Sequence, residues 1–242
     1  MKKIVIFGGG SGLSQLLKGI IQFPMDVTAV VSVSDNGAST GRLREEFSIP
    51  AVGDITKVLM AMSTESKGVK ELFNYRFQKD SSIGNHSIKN LIMTALLEMK
   101  GDFAHSLPIL CDLLDVKGKL LPLTEDNVDL VGITKDGTEI VGEVQITESR
   151  SQIVKLKYNK PLTLKAYEKD FSEAKNILEN SDAVIFSYPV YTFLAPSQLH
   201  RFIELLKINN VNLKDKYATQ ISTSKHFYDV TAHKYIEENA LD

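Results

Sequence analysis

Two segments of this chain combine residue types and spacing that could do chemistry: Gly8-Gly9-Gly10-Ser11-Gly12 and Asp35-Asn36-Gly37-Ala38-Ser39-Thr40-Gly41. Each follows a short apolar run and precedes an amphipathic one. Glycines at such a junction let backbone N–H groups approach a ligand, and the helix start beyond them favours negative charge. Arg42 and Arg44 follow the second loop. Two residues apart on a helix they diverge by roughly 200°, so only one can face a phosphate. Arg42, nearer the loop, is the expected ligand contact, and Arg44 is expected to pair with Glu45 or Glu46 on the surface. The ligand class implied is a phosphate-bearing small molecule, its charge shared by backbone amides and guanidinium. The first loop is neither a dinucleotide fingerprint, since Leu13 stands where the third glycine would fall, nor a P-loop, since no Gly-Lys-Ser/Thr follows.

Other candidates flank these loops. Asp35 can hold Mg²⁺, accept a ribose hydroxyl, or close an Asx turn on its own loop. Asn36 can hydrogen-bond but supplies no second charge. Asp54 precedes Ile55-Thr56-Lys57, where it serves either the cleft or as a helix N-cap. His86 and Asn90 are one helical turn apart and can approach the same cleft, reading a sugar or a base. His105, His200, His226 and His233 lack metal-ligand spacing. Cys111 lies in the apolar run Leu110-Cys111-Asp112-Leu113-Leu114, the setting of a structural thiol. No residue set reads as a nucleophile–base pair.

The elements that must position these residues follow from periodicity. Ile4 to Phe7 and Val27 to Val33 read as buried strands, and Leu13 to Ile21 as a helix with Leu13, Leu16, Leu17, Ile20 and Ile21 on one face. A helical stretch is expected from Ile55 to Val116, broken near Ser81 to Asn85. Val128 to Thr134 and Thr138 to Ile146 alternate around Lys135-Asp136-Gly137, a hairpin pattern, and Ile153 to Tyr158 adds a further strand. After Pro161, a helix near Lys169 to Leu178, a strand at Asp182 to Phe186, a helix from Ser197, and then another strand and helix restore the α/β alternation. The expected fold is α/β: a Rossmann-like parallel sheet with a helical insert and a β-hairpin.

From Lys3 to about Pro161 the chain resembles the YvcK/CofD-like group, the gluconeogenesis factors. The resemblance rests on Ile4 to Ser14, Val31 to Glu46, Gly53-Asp54-Ile55, Leu72 to Phe77 and His86 to Leu91. Three departures stand out. Asn36 replaces the second acid of Asp-Asp, Asn85 separates Gly84 from His86 where the group has Gly-His-Ser, and Lys89 replaces the glycine of Gly-Asn-Leu. The group's late Pro-Gly-Ser loop is absent, and about 164–242 is similar instead to a flavodoxin-like NAD(P)H-dependent oxidoreductase fragment. A chimera joined between Pro161 and Lys169 is expected, with 1–161 binding the nucleotide ligand and 162–242 completing or flanking the sheet.

What the resemblance implies is a binding and regulatory protein that takes a nucleotide sugar, UDP-N-acetylglucosamine-like, and influences cell shape, the envelope and carbon metabolism. Gly8 to Ser14, Asp35 to Arg42 and His86 to Asn90 would line the cleft. An alternative is CofD-like phospholactyl transfer with Mg²⁺ on Asp35, weakened by Asn36. A third reading is a flavin-binding fragment with Tyr191 stacked on the ring; without a flavin-phosphate loop, FMN is disfavoured. A fourth is a recombined hybrid without working function. Composition restricts these classes further. A net charge of −2 with 24% charged residues offers no nucleic-acid footprint, and a single cysteine excludes a disulfide framework. The chain enters a strand at Ile4 with no signal peptide and no membrane-length apolar run, so cytoplasmic residence without a membrane partner is expected. Homo-oligomer formation is left open.

Overall fold

The structure, a computed structural model, describes residues 1–33, 35–78, 80–123, 126–127, 129–160, 172, 174–189, 197–223 and 230–241. Its centre is a five-stranded sheet built on the apolar runs. Strand β1 (Lys2–Gly8) pairs in parallel with β2 (Met25–Val31) on one side and β7 (Ala183–Pro189) on the other. β3 (Lys119–Pro122) extends the β2 edge and β8 (Tyr217–Thr223) the β7 edge, both parallel, giving the order β3-β2-β1-β7-β8. The four-residue β3, too short to show a period, was not expected from the sequence.

Alternation along β1 divides the interior in two. Ile6, with Val27, Ala29 and Val31 of β2, faces α1 (Gly10–Ile20), α3 (Gly53–Met62), α5 (Ile88–Lys100) and α6 (Phe103–Leu113). Leu13 and Leu17 of α1 and Ile55, Val58 and Leu59 of α3 fill that layer. Val5 and Phe7 point the other way, joining Val184, Phe186 and Tyr188 of β7 against α9 (Ser197–Ile208) and α10 (Val230–Ile236). Phe7 stacks obliquely on Phe202 with ring centroids 4.1 Å apart. Covering on both faces is what a parallel sheet demands, and it explains why its strands read as continuous apolar runs. Further helices are α2 (Ala38–Phe47), α4 (Lys67–Asn74) and α8, described over 174–179; a π-turn at Glu237–Leu241 follows α10.

The β insert is three-stranded and antiparallel. β4 (Leu130–Thr134) lies between β5 (Glu139–Val141) and β6 (Ile153–Tyr158). The hairpin turns at Lys135-Asp136-Gly137, where Gly137 has φ +87°. Its second arm is shorter than the alternation suggested. Gly142, at φ +102°, ends it and starts α7 (Glu143–Glu148), whose Ile146 packs on Leu130 and Ile153.

β1 is the point from which the sheet grows in both directions, with β2 and β3 to one side and β7 and β8 to the other. In open α/β sheets ligands bind outside the carboxyl ends of strands at such a switch. Gly8 ends β1 there, and a Cβ on it would lie 2.0 Å from the carbonyl oxygen of Ser187 on β7.

Candidate functional site

Three short segments meet at this carboxyl edge. Gly9 and Gly10 carry β1 into α1, and Ser11 and Gly12 form the first helical turn, with Ser14 Oγ donating to Ser11 O at 2.9 Å. Asp35 to Gly37 carry β2 into α2. Gly53 and Asp54 open α3, which packs along α1.

Asp54 is not an N-cap. Val52 holds that position, and Asp54 stands one residue inside the helix with its carboxylate over the first loop. A Cβ on Gly10 would lie 2.8 Å from Asp54 Oδ1, and one on Gly9 3.0 Å from Oδ2. Gly10 also has φ +55°, so glycine is required there for both backbone and space. Asp35 reaches the same place from the second loop. Its Oδ1 accepts the Gly37 N–H at 2.8 Å, the Asx turn, while Oδ2 accepts from Thr40 Oγ1 at 3.3 Å and occupies the space a Cβ on Gly53 would need. Burial, and then the negative charge of Asp35, push the Asp54 carboxyl up to about 6, against the opposing pull of Lys57, whose Nζ lies 3.1 Å from Oδ1.

Asn36 is occupied elsewhere. Its Oδ1 accepts the Val144 N–H at 3.0 Å and its Nδ2 donates to Gln145 Oε1 at 3.0 Å, fastening the β insert to the second loop. The second carboxylate beside Asp35 is therefore Asp54, 19 positions away in sequence. Among the described residues no group of three or more His, Cys, Asp or Glu side chains could hold a metal ion. Two carboxylates do fit Mg²⁺, which commonly takes one or two protein carboxylates and completes its shell with phosphate and water.

His86 and Asn90 come together as expected, but as part of a buried brace. Asn90 Oδ1 accepts from Thr56 Oγ1 at 2.7 Å, Asn90 Nδ2 donates to Ser39 Oγ at 3.4 Å, and Ser39 Oγ lies 3.0 Å from His86 Nδ1. Burial and the nearby Arg42 hold His86 below the usual imidazole range, which favours its neutral form in this brace. The brace ties α2, α3 and α5 together behind the loops. Arg42 donates to Gly84 O, beside this brace.

Arg44 overturns its expectation. Its side chain is 7% exposed, and it pairs with Asp129 at 3.0 Å and donates to Asn127 Oδ1 at 2.6 Å, rather than meeting Glu45 or Glu46 on the surface. It joins α2 to the start of β4. Serine–histidine contacts also exist where the sequence suggested none. Besides Ser39 with His86, Ser222 Oγ lies 2.7 Å from His233 Nε2, in a polar cluster with Tyr188 and Gln220 between β7, β8 and α10. Burial pushes the Cys111 thiol up to about 11, in keeping with a structural role. Tyr191 lies outside the described residues.

Sequence reasoning missed three cations. Lys57 pairs with Asp54, Lys89 Nζ donates to Asn74 Oδ1 at 2.6 Å, and Arg76 donates to Asn85 O. Their places in three different elements conceal the grouping; the only local signal was Lys89 standing where the resembled motif has glycine. A separate hollow, lined by Lys3, Asp26, Thr28, Lys119 and Asn176, lies at the opposite ends of the strands from the glycine loops.

Fold and site together define an open α/β protein with a polar cleft at its topological switch, where glycine loops, a carboxylate pair and cations meet. The profile of the family described as 2-phospho-L-lactate transferase CofD matches residues 4–196. This chain belongs to the CofD family. It is 39% identical over 199 residues to the gluconeogenesis factor of Bacillus subtilis and 35% over 203 residues to that of Halalkalibacterium halodurans, and it spans 61% and 60% of their lengths. These alignments cover 81% and 82% of this chain. The Listeria innocua gluconeogenesis factor is 32% identical over 241 residues, covering 98% of this chain and 73% of that protein. A crystal structure of a UPF0052-family protein from Bacillus halodurans superposes with a TM-score of 0.71 at 26% identity, covering 98% of this chain and 85% of that one. The similarity therefore runs through residues 164–242 as well. The last third continues the family, and the flavodoxin-like fragment and the chimeric junction expected from the sequence gain no support.

Proposed function

We propose that this chain is a cytoplasmic, nucleotide-sugar-binding regulatory protein of the gluconeogenesis-factor type, linked to cell shape, the envelope and carbon metabolism. The observation that carries the reading is the convergence of both glycine loops on Asp54. Gly9 and Gly10 leave no room for a side chain beneath its carboxylate, and Asp35 stands beside it. Such a cleft suits a diphosphate whose oxygens take backbone N–H groups directly and a carboxylate-held cation between them. In this reading Gly8 to Gly12, Asp35, Gly37, Ser39 and Arg42 border the phosphates, and Asp35 with Asp54 would hold Mg²⁺. When bound, the cation would neutralise phosphate charge. His86 and Asn90 hold the wall, and residues 162–242 complete the sheet beside the ligand-binding region 1–161. Both hydroxyls of the serine–histidine contacts sit in polar networks among secondary elements, which favours binding over turnover.

Calorimetric titration with UDP-N-acetylglucosamine in the presence of Mg²⁺ tests this. Saturable binding that weakens in Asp35→Ala and Asp54→Ala is expected. Absence of binding by a folded protein would overturn it.

One observation favours a second reading, CofD-like phospholactyl transfer. Asp54 supplies the carboxylate that Asn36 does not, so the acid pair such chemistry calls on is present after all. Product formation from a phospholactyl donor and a deazaflavin acceptor would replace the regulatory reading.

A further inference from the structure

The cleft leaves a cluster of cations without a matching set of acids. Lys89 is the second residue of α5, and its ammonium is held by the neutral Asn74 Oδ1 at the end of α4. Arg76 follows α4, and its backbone bridges Ser87 at the N-cap of α5, with Phe77 N–H donating to His86 O at 3.0 Å and Ile88 N–H to Tyr75 O at 3.1 Å. This pairing fixes Arg76 beside the start of α5. Lys57 approaches from α3 and Lys18 from α1, near enough that both disfavour the charged form of Lys89. Among the described residues Lys18, Arg76 and Lys89 have no carboxylate within ion-pair distance, while Lys57 pairs with Asp54. Four positive groups from four segments thus gather around the first turn of a 13-residue helix whose own dipole adds positive potential.

We propose that Lys89, Arg76, Lys57 and Lys18 form a phosphate subsite beside the carboxylate pair, centred on Lys89 and taking a phosphoryl group as its ligand. The physical reason is charge balance. Like charges gathered on a partly desolvated surface raise the energy of the free protein, and an incoming dianion removes that cost while meeting ammonium and guanidinium donors. The strain registers on Lys89 itself, which burial and then Lys57, Arg76 and Lys18 push down to about 8. A bound phosphate would restore it to full charge. Glycine at this position in the resembled motif marks the ammonium as a feature of this chain. The subsite does not depend on which nucleotide ligand occupies the neighbouring cleft.

The test is titration of the whole chain with inorganic phosphate, without divalent cations, at pH 7 and pH 9. Saturable binding is expected, weakened about tenfold or more in Lys89→Gln and kept within about twofold in Lys89→Arg. Between pH 7 and 9 wild-type binding should fall roughly tenfold relative to Lys89→Arg, because a group titrating near 8 passes from mostly charged to about one-tenth charged while the phosphate's own ionisation affects both proteins alike. Wild-type-like phosphate binding by a folded Lys89→Gln, or no saturable binding by the wild type, overturns the subsite. Competition then identifies the source of the phosphoryl group. Displacement of phosphate by UDP-N-acetylglucosamine assigns it to the cleft ligand, and simultaneous binding assigns it to a free anion; both uphold the subsite. Failure of the nucleotide-sugar titration with phosphate binding intact would sink only the ligand reading.

Discussion

Asp54→Asn should make the metal-free protein more stable at neutral pH while weakening ligand binding. The magnitude follows from the displacement of the Asp54 carboxyl from 3.8 to about 6. Each tenfold change in acidity is about 1.4 kcal/mol, so the ionised group costs the fold about 3 kcal/mol. The sign is that of an acid whose folded value lies above its unfolded one. Below pH 4 both states are protonated and nothing is lost; between about 4 and 6 the unfolded chain ionises first and stability falls; above that the penalty is constant. The pull of Lys57 Nζ, 3.1 Å away, is already contained in that displacement, so asparagine removes the whole penalty. The expectation is a gain of about 3 kcal/mol at pH 7.5, or roughly 6–12 °C in Tm for a domain of this size. Urea titrations in EDTA at pH 4 and pH 7.5 provide the assay. The two proteins should agree at the lower pH and separate at the higher one. A variant less stable than wild type at pH 7.5, or an unchanged stability slope between pH 4 and 6, would refute the reasoning. A gain in stability joined to a loss of binding is the mark of a residue kept for function.

Three further outcomes are expected. Gly8→Ala brings a Cβ within 2.0 Å of Ser187 O, so β1 and β7 must part; a loss of roughly 3 kcal/mol or more in thermal or denaturant unfolding is expected. Arg44→Ala leaves Asp129 and Asn127 without their shared partner; chemical denaturation should show a loss of about 2–3 kcal/mol, below the buried-pair range because Asp129 is partly exposed. Asn36→Asp restores the acid of the resembled motif, but removes the donor to Gln145; Mg²⁺ titration should show no tighter binding, and denaturation a cost of about 1 kcal/mol.

The sequence by itself determined the local elements and the chemical character of the cleft. Ile4 to Phe7 and, apart from Thr28, Val27 to Val31 are apolar because both faces of the sheet are covered, and that covering writes itself into composition. Leu13 and Leu17 mark the buried face of α1 by their spacing. The two glycine loops and the family were legible for a related reason: close backbone approach demands particular residues at adjacent positions. Short β3 and the truncated arm of the hairpin escaped because pairing partners, not periodicity, define them. Tertiary structure alone decided who meets whom. Asp54 looked like a helix cap until the packing of α3 on α1 laid its carboxylate over Gly10. Asn36 looked like a weakened metal ligand until its amide met Gln145, 109 residues on. Arg44 looked solvent-facing until Asp129 arrived beside it on the insert. Lys57, Arg76 and Lys89 became one charged group only when α3, α4 and α5 closed together. Each of these pairings depends on the path of the chain between the partners, and no window of neighbouring residues contains that path.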